Sequence, residues 1–307
     1  MAGPPLRPEA PPDAGRTSDA ELTIGALVDE LAVALGSAAA EEARREARDI
    51  VAALMDAPRL WPVGHAGETA ERALVARARA AAARRRKGMP FAYAVGRAAF
   101  RHLTLEVDER VLIPRPETEL LVDLVLSATD GGAGLAIDVG TGCGAIALAL
   151  ATEGRFERVV GTDISADALA VAIANAHRLM PPAPVPLEFR LGAYLAPVRG
   201  LTARAIVSNP PYISYAEAAS LPESVRAWEP AVALLAGDGG LAATAEIVDG
   251  SAAILELGGL LALEVDSRRA NECAALVAAD ARYGSVAVRQ DMTGRDRFVT
   301  ATRSNRT

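Results

Sequence analysis

Residues 208–212, Ser208-Asn209-Pro210-Pro211-Tyr212, put an amide, two prolines and an aromatic ring into one short stretch. The side-chain oxygen of Asn209 can accept one hydrogen of a substrate NH2 group, and the main-chain carbonyl of Pro210 can accept the other. Two acceptors on one amine aim its lone pair. Successive prolines stiffen the backbone and remove donors that would compete, while the ring of Tyr212 can cover a planar amide or a base. A turn capped by an aromatic core residue accounts for the same letters. As a site, the stretch makes Asn209, Pro210 and Tyr212 the candidate catalytic residues, with Pro211 beside them on the acceptor.

A second chemical signature lies upstream. The apolar run that contains Asp138 is followed by Gly140-Thr141-Gly142-Cys143-Gly144 and then by helical apolar character from Ala145 to Leu150. Strand, tight glycine loop and helix form a plan in which glycines let a ligand approach the main chain and helix-start amides offer donors. The spacing alone does not identify the ligand, because a buried glycine turn has the same pattern. Asp163 ends the next apolar run at a distance suited to both ribose hydroxyls of a cofactor carried by the loop, or to capping the helix that follows. The candidate cofactor-binding residues are Asp138, Gly140, Thr141, Gly142, Gly144, Asp163, Ile164 and Asn209. An Asn-Pro-Pro-Tyr turn behind such a nucleoside site favours methyl transfer to a planar NH2 group over hydride transfer.

These residues need elements to hold them. Buried strands are expected over 135–139, 158–162, 187–190 and 205–208, with helices over 144–151 and 166–177 between the earlier ones, the alternation of a mainly parallel α/β sheet. A helix over 241–257, a strand over 260–265 and a last turn and strand over 294–299 complete the C-terminal part. Upstream, helices are expected over 24–35, 39–57 and 68–87, and extended segments or a hairpin over 91–113. Residues 114–119, Pro-Arg-Pro-Glu-Thr-Glu, fit either a charged helix cap or a cleft in which Arg115 and Glu119 position the acceptor. The basic run from Arg84 to Lys87 suits a helix C-terminus ended by Gly88, or a contact with an RNA-bearing partner.

With 307 residues, 51% of them apolar, the chain can bury a substantial core and is long enough for two domains. Its formal charge of -7 argues against nucleic-acid binding driven by the whole surface. Cys143 and Cys273, the two cysteines, suit packing rather than a disulfide framework, and His65, His102 and His177 have no metal-ligand spacing, so no metal is expected. No apolar segment is long and charge-free enough to read as a membrane span. The proline-rich first 20 residues are expected to be a disordered leader.

Taken together, VLIPRPETE from Val111, DVGTGCGAIALAL from Asp138, GTDISADALAVAIANA from Gly161 and IVSNPPYI from Ile206 closely resemble the bacterial peptide chain release factor N5-glutamine methyltransferases. The resemblance covers approximately Leu22 to Thr300. It implies a seven-stranded, mainly parallel methyltransferase sheet that uses S-adenosylmethionine, with a smaller N-terminal helical substrate-recognition domain. The expected organisation is a leader over 1–20, helical domain over 21–90, linking hairpin over 91–113, methyltransferase domain over 114–303 and tail over 304–307. The implied acceptor is the glutamine of the GGQ loop in class 1 release factors, release factors 1 and 2, modified to N5-methylglutamine. A cytoplasmic enzyme is expected, monomeric outside its substrate complex and without a stable nucleic-acid partner. The residues matching Gly140, Gly142 and Asp163 bind the cofactor in that family, and those matching Asn209 and Pro210 hold the glutamine amide.

Two positions depart from the family. Ala193 stands where an acidic residue commonly contacts the adenine amino group, and Asp266-Ser267-Arg268-Arg269 replaces the Gly and Gln usual after the residue matching Glu264. Asn-Pro-Pro-Tyr also serves adenine-N6 methyltransferases of DNA or RNA, which is one alternative. A catalytically weak release-factor adaptor is the other.

Overall fold

The computed structural model describes residues 22–36, 39–180 and 185–305; the expected leader and the last two residues of the expected tail lie outside them. Two compact units divide the chain between Ala83 and Arg84, inside the third long helix rather than at residue 90.

The first unit is helical: α1 (Ile24–Leu35), α2 (Ala40–Leu54), α3 (Trp61–Gly64) and the start of α4 (Arg72–Arg86). The side chain of Thr23 accepts from Ala26 N–H and starts α1, Gly36 ends it in the left-handed region, and Ile24, Leu27, Val28 and Leu31 form its buried face. Buried Ala43 and Ala47 let α2 approach its neighbours closely, with Ile50, Val51 and Leu54 as its larger anchors. It stops at Leu54, three residues short of expectation, because Asp56 adopts φ 53°. Pro62 sits in the first turn of α3, a short helix between the second and third expected ones.

The basic run closes α4 through the main chain. Arg84 donates to Ala94 O at 3.3 Å, Arg85 bonds the carbonyl of Met89, and Gly88 takes φ 83°. These are the bonds of a capped C-terminus. Residues 91–95, expected to be extended, form α5 (Phe91–Val95), ended by left-handed Gly96. The hairpin follows as β1 (Arg97–Phe100) and β2 (Leu103–Glu106).

The second unit then alternates α6 (Pro116–Ala128), β3 (Leu135–Val139), α7 (Ala145–Glu153), β4 (Arg158–Asp163), α8 (Ala166–Leu179), β5 (Leu187–Leu191) and β6 (Ala203–Ser208). A short pair, β7 (Ile213–Ser214) and β8 (Leu235–Ala236), brackets α9 (Glu223–Trp228) and α10 (Ala231–Leu234). The chain closes with α11 (Ala242–Ile254), β9 (Leu255–Glu264), α12 (Ala270–Ala279), β10 (Tyr283–Gln290) and β11 (Asp296–Arg303). The seven-stranded sheet has the order β10-β11-β9-β6-β3-β4-β5. From β9 to β5 every pairing is parallel, and β11 pairs antiparallel with both β9 and β10.

Chain order reverses at β3: β4 and β5 extend one side, and the chain then crosses to β6 on the other. The carboxyl ends beside that reversal are where an open α/β sheet leaves a crevice. All five residues of β3 are buried, as in a strand covered on both faces. Leu121 and Val125 of α6 and Leu148 and Leu150 of α7 fill one apolar layer. Ile247 and Val248 of α11 pack with Val277 of α12 and Leu261 of β9 in the other.

One boundary differs from its expectation for a clear reason. The stretch read as helix to residue 257 turns into β9 at Leu255. A Cβ on Gly259 would lie 3.2 Å from the carbonyl oxygens of both Ala203 and Arg204, so glycine lets β9 close on β6 where their register shifts.

Candidate active site

The glycine loop is built from the inside by Asp138. This carboxylate is fully buried; its Oδ2 accepts from Thr141 Oγ1 at 2.6 Å and from Ala147 N at 3.1 Å, while Oδ1 has no partner among the described residues. Burial pushes its carboxyl up to about 7, partly opposed by the bonds from Thr141 and Ala147. Asp138 therefore ties the loop to the first turn of α7. Asp138, Thr141 and Gly144 were expected to contact the cofactor, yet none of them lines the adjacent cavity. Gly144 packs against Leu148 and Ala172.

Gly140 and Gly142 face outward. They take φ 74° and 56°, and a Cβ on either would point into open space. A side chain there would be strained, and it would take up open space beside the cavity that both glycines line. Thr162 O receives the N–H groups of Gly140 and Thr141 at 2.8 and 2.9 Å, which seats the loop on β4. Asp163 takes Gly142 N on Oδ2 and Ser165 N on Oδ1, each at 2.9 Å. Ser165, not Asp163, caps α8, accepting from Ala168 N at 3.1 Å. The carboxylate of Asp163 is thus oriented at the cavity wall with lone pairs to spare, and Ile164, 62% exposed, forms an apolar edge beside it.

At the end of β6, Ser208 donates to Val139 O at 2.6 Å and aligns that strand end with β3. Asn209 and Pro210 follow. They stand between two cavities, of about 210 and 140 Å3, and line both. The larger holds Gly140, Gly142, Asp163, Ile164 and Pro211, and the smaller holds Arg115 and Tyr212. Pro211, expected on the acceptor side, lines the larger cavity instead. Burial pushes the Tyr212 phenol up to about 12, so it stays neutral. A Cβ on Gly240 would collide with the Tyr212 carbonyl, and this glycine lets the following loop pack under the turn.

The two charged candidates before α6 separate. Arg115 lines the smaller cavity, held by a 2.6 Å bond from its Nη2 to Glu229, whose side chain is 1% exposed. Glu119 faces the hairpin instead: its Oε1 accepts from Arg101 N at 3.0 Å, and its carbonyl accepts from Arg101 Nη1 at 2.9 Å. It lines neither cavity, so its expected substrate contact is replaced by a structural one.

Several residues around the site carried no signal in the sequence. Thr118, given no role of its own within the stretch read as a cap or a cleft, accepts from Asn209 Nδ2 at 3.2 Å and donates to Glu264 at 2.7 Å. Asn175, fully buried in α8, donates to the carbonyls of Cys143 and Glu106 at 3.0 and 2.9 Å and accepts from Glu106 N, pinning the hairpin to the glycine loop. The Asp266 departure is structural: Asp266 pairs with Arg268 and Arg269, and both arginines also pair with Glu217 after the Asn-Pro-Pro-Tyr turn. The partners of Thr118, Asn175 and Glu217 are distant in the chain, and no local pattern marks those contacts. Ala193 lines the larger cavity and offers no side-chain acceptor. Cys143 and Cys273 are free and buried, and among the described residues no cluster of His, Cys, Asp or Glu could hold a metal.

Comparison with known proteins agrees with this architecture. The Methyltransferase small domain family matches residues 116–256, and the PrmC N-terminal domain family matches residues 26–96. The release factor glutamine methyltransferase of Moorella thermoacetica is 44% identical over 221 residues, 72% of this chain and 77% of that protein. That of Cereibacter sphaeroides is 38% identical over 267 residues, 87% of this chain and 94% of that protein. A methyltransferase structure from Pyrococcus furiosus, 20% identical, covers 67% of this chain and 90% of its own with a TM-score of 0.50, and shares the fold. With this identity over 77% and 94% of the length of those two relatives, the chain belongs to the release factor glutamine methyltransferase family.

Proposed function

We propose that this enzyme transfers the methyl group of S-adenosylmethionine to the side-chain amide nitrogen of the GGQ-loop glutamine in release factors 1 and 2, giving N5-methylglutamine. The observation that carries the reading is the pair of cavities that share Asn209 and Pro210. One is bounded by a glycine loop and a strand-end carboxylate, and the other by an arginine and a neutral phenol.

The residues of the larger cavity fit the cofactor. Gly140 and Gly142 leave the space that a Cβ would fill, and Asp163 keeps acceptor capacity for two ribose hydroxyls after its bonds to Gly142 and Ser165. Bound there, S-adenosylmethionine supplies an electrophilic sulfonium methyl. Asn209 Oδ1 and the Pro210 carbonyl accept the two amide hydrogens of the glutamine from the other side. An amide nitrogen is a poor nucleophile because its lone pair is delocalised into the carbonyl. The two acceptors turn that lone pair toward the methyl and stabilise positive character as it develops on nitrogen. The new N–C bond forms as the S–C bond breaks, and the N-methylated group then releases one proton to water. Tyr212 is no base for this step, because its phenol stays protonated. Two acceptors also select against a glutamate, whose carboxylate would set a charged oxygen with no hydrogens against both of them.

Release factors 1 and 2, a monomeric enzyme and the cytoplasm are the specific partners, state and compartment we assign; among the described residues no helix is long and apolar enough to cross a membrane. The helical unit before Arg84 is assigned to release-factor recognition. The test is incubation with S-adenosylmethionine and unmodified release factor 1 or 2, followed by fragment mass spectrometry. A gain of about 14 Da at the GGQ glutamine is expected. Methylation of defined DNA or RNA without transfer to release factor would replace this reading by adenine-N6 transfer. Binding of both partners without transfer would replace it by an adaptor.

A further inference from the structure

The amide of Asn209 has two ends of similar shape and opposite chemistry. Only the oxygen end can accept a hydrogen from the glutamine; the NH2 end would confront it donor to donor. Something must decide which end faces the acceptor, and the Asn209 side chain has one described protein partner. Its Nδ2 lies 3.2 Å from Thr118 Oγ1, and Thr118 Oγ1 lies 2.7 Å from Glu264 Oε2.

Those three residues come from three elements. Thr118 is in the first turn of α6 and 5% exposed, Glu264 is the last residue of β9 and 1% exposed, and Asn209 follows β6. Parallel pairing of Ser208 with Leu263 brings the next residues, Asn209 and Glu264, to the same end of the sheet. The hydrogen-bond directions along this chain are then forced. An ionised carboxylate only accepts, so the single proton of Thr118 goes to Glu264. The lone pairs of Thr118 then require a donor, and the only donating end of Asn209 is its NH2. Its oxygen is left for the acceptor.

Resting on the function proposed above, we propose that Thr118 and Glu264 are positioning residues which set the orientation of the Asn209 amide, and that ionised Glu264 is the state that holds it competent. Protonated Glu264 can instead donate to Thr118. The hydroxyl proton is then free to turn toward Asn209, which favours the reversed amide. Burial raises the Glu264 carboxyl to about 7, opposed by its bond from Thr118. Arg297 on β11, Arg115 before α6 and Glu117 in its first turn act on it through charge, and Tyr212 lies within its field beyond β6. On the continuation of β9, Asp266 is paired with Arg268 and Arg269, while α11 turns Glu246 and Asp249 to solvent.

The experiment is single-turnover methyl transfer to full-length unmodified release factor, at saturating S-adenosylmethionine, from about pH 5.5 to about 8.5, the range that brackets the Glu264 titration. It compares the full-length enzyme with Thr118→Val, Thr118→Ser and Glu264→Gln, each first checked for cofactor binding by calorimetry. Thr118→Val removes the acceptor for Asn209. It is expected to lower the transfer rate about 100-fold, with the KM for cofactor and release factor within about twofold. Thr118→Ser keeps the hydroxyl and should retain both the rate and the pH profile. Glu264→Gln can still accept from Thr118 but does not titrate, so its transfer should lose the acid limb shown by the unsubstituted enzyme. Thr118→Val transferring at the unsubstituted rate, or Glu264→Gln keeping the same acid limb, overturns the relay while leaving the methyltransferase reading intact. No transfer by the unsubstituted enzyme overturns that reading and the relay with it.

Discussion

Gly142 donates its main-chain N–H to Oδ2 of Asp163 across 2.9 Å, joining the glycine loop after β3 to the end of β4. One bond thus sets both the loop and the carboxylate that faces the cavity. Gly142 holds φ 56° with open space ahead of it, so Gly142→Ala adds left-handed strain of about 1 to 2 kcal/mol and places a methyl in the cofactor cavity. Calorimetry with S-adenosylmethionine should show a Kd at least about tenfold weaker, and an unchanged Kd would remove Gly142 from the proposed cofactor site.

Asp163→Ala tests the carboxylate directly. It removes the acceptors of Gly142 N and Ser165 N as well as the proposed ribose contact. Cofactor affinity should fall by at least about 100-fold, the lower end of what two hydrogen bonds to a charged group contribute, while Asp163→Asn, which keeps one acceptor, loses less. Equal affinity for Asp163→Ala and the unsubstituted protein would remove Asp163 from the site.

Asp138 makes stability depend on pH. Its folded carboxyl holds a proton up to about 7, whereas an unfolded aspartate gives it up near its ordinary value of 3.8. Between those values the folded state binds more protons, so stability falls as pH rises through this window. Glu264, also raised to about 7, acts in the same direction from its ordinary value of 4.5. Asp138→Asn keeps an acceptor for Thr141 and Ala147 and cannot ionise. Thermal unfolding without cofactor should show a shallower fall from about pH 4 to 7 and a Tm at pH 7 at least about 2 °C higher. A parallel pH slope would refute the assignment.

Ala193 lines the larger cavity, proposed for the cofactor, without a side-chain acceptor. Ala193→Asp adds a carboxylate at the position where the family commonly carries one. We expect S-adenosylmethionine to bind about tenfold more tightly, the value of one hydrogen bond to a charged group. Unchanged or weaker binding would mean that the adenine end does not lie against residue 193.

Glu217 anchors the segment after the Asn-Pro-Pro-Tyr turn. Ser214, through its hydroxyl and its N–H, and then Arg269 hold the Glu217 carboxyl down to about 2. This tether contributes stability above the ordinary carboxylate range and loses it as pH falls from about 4.5 toward 2. Glu217→Ala should speed hydrogen exchange in residues 213–222 and raise the KM for release factor about fivefold, leaving cofactor affinity unchanged. The segment borders the acceptor cavity through Ile213 and Leu221, which is why the effect should divide that way.

Much of this protein is determined by the sequence itself, because the informative patterns are local. Continuous apolar runs such as 135–139 specify buried strands, the i, i+3, i+4, i+7 spacing of Ile24, Leu27, Val28 and Leu31 specifies a helix face, and Gly140 and Gly142 occupy backbone conformations that favour glycine. The Asn-Pro-Pro-Tyr turn carries its acceptor chemistry in consecutive residues. Tertiary structure alone decides what distant partners do to those groups. Asp138 and Glu119 have the charge of ligand-binding residues, but folding turns the first onto Thr141 and Ala147 and the second onto Arg101. Pro211 lines the larger cavity for a similar reason, since the turn's geometry and not its letters chooses the wall. Thr118 and Glu264, 146 positions apart, meet because the start of α6 lies over the end of β9. A hydrogen bond needs its two atoms within about 3 Å, and only the packed sheet and its helices bring that distance to residues so far apart along the chain.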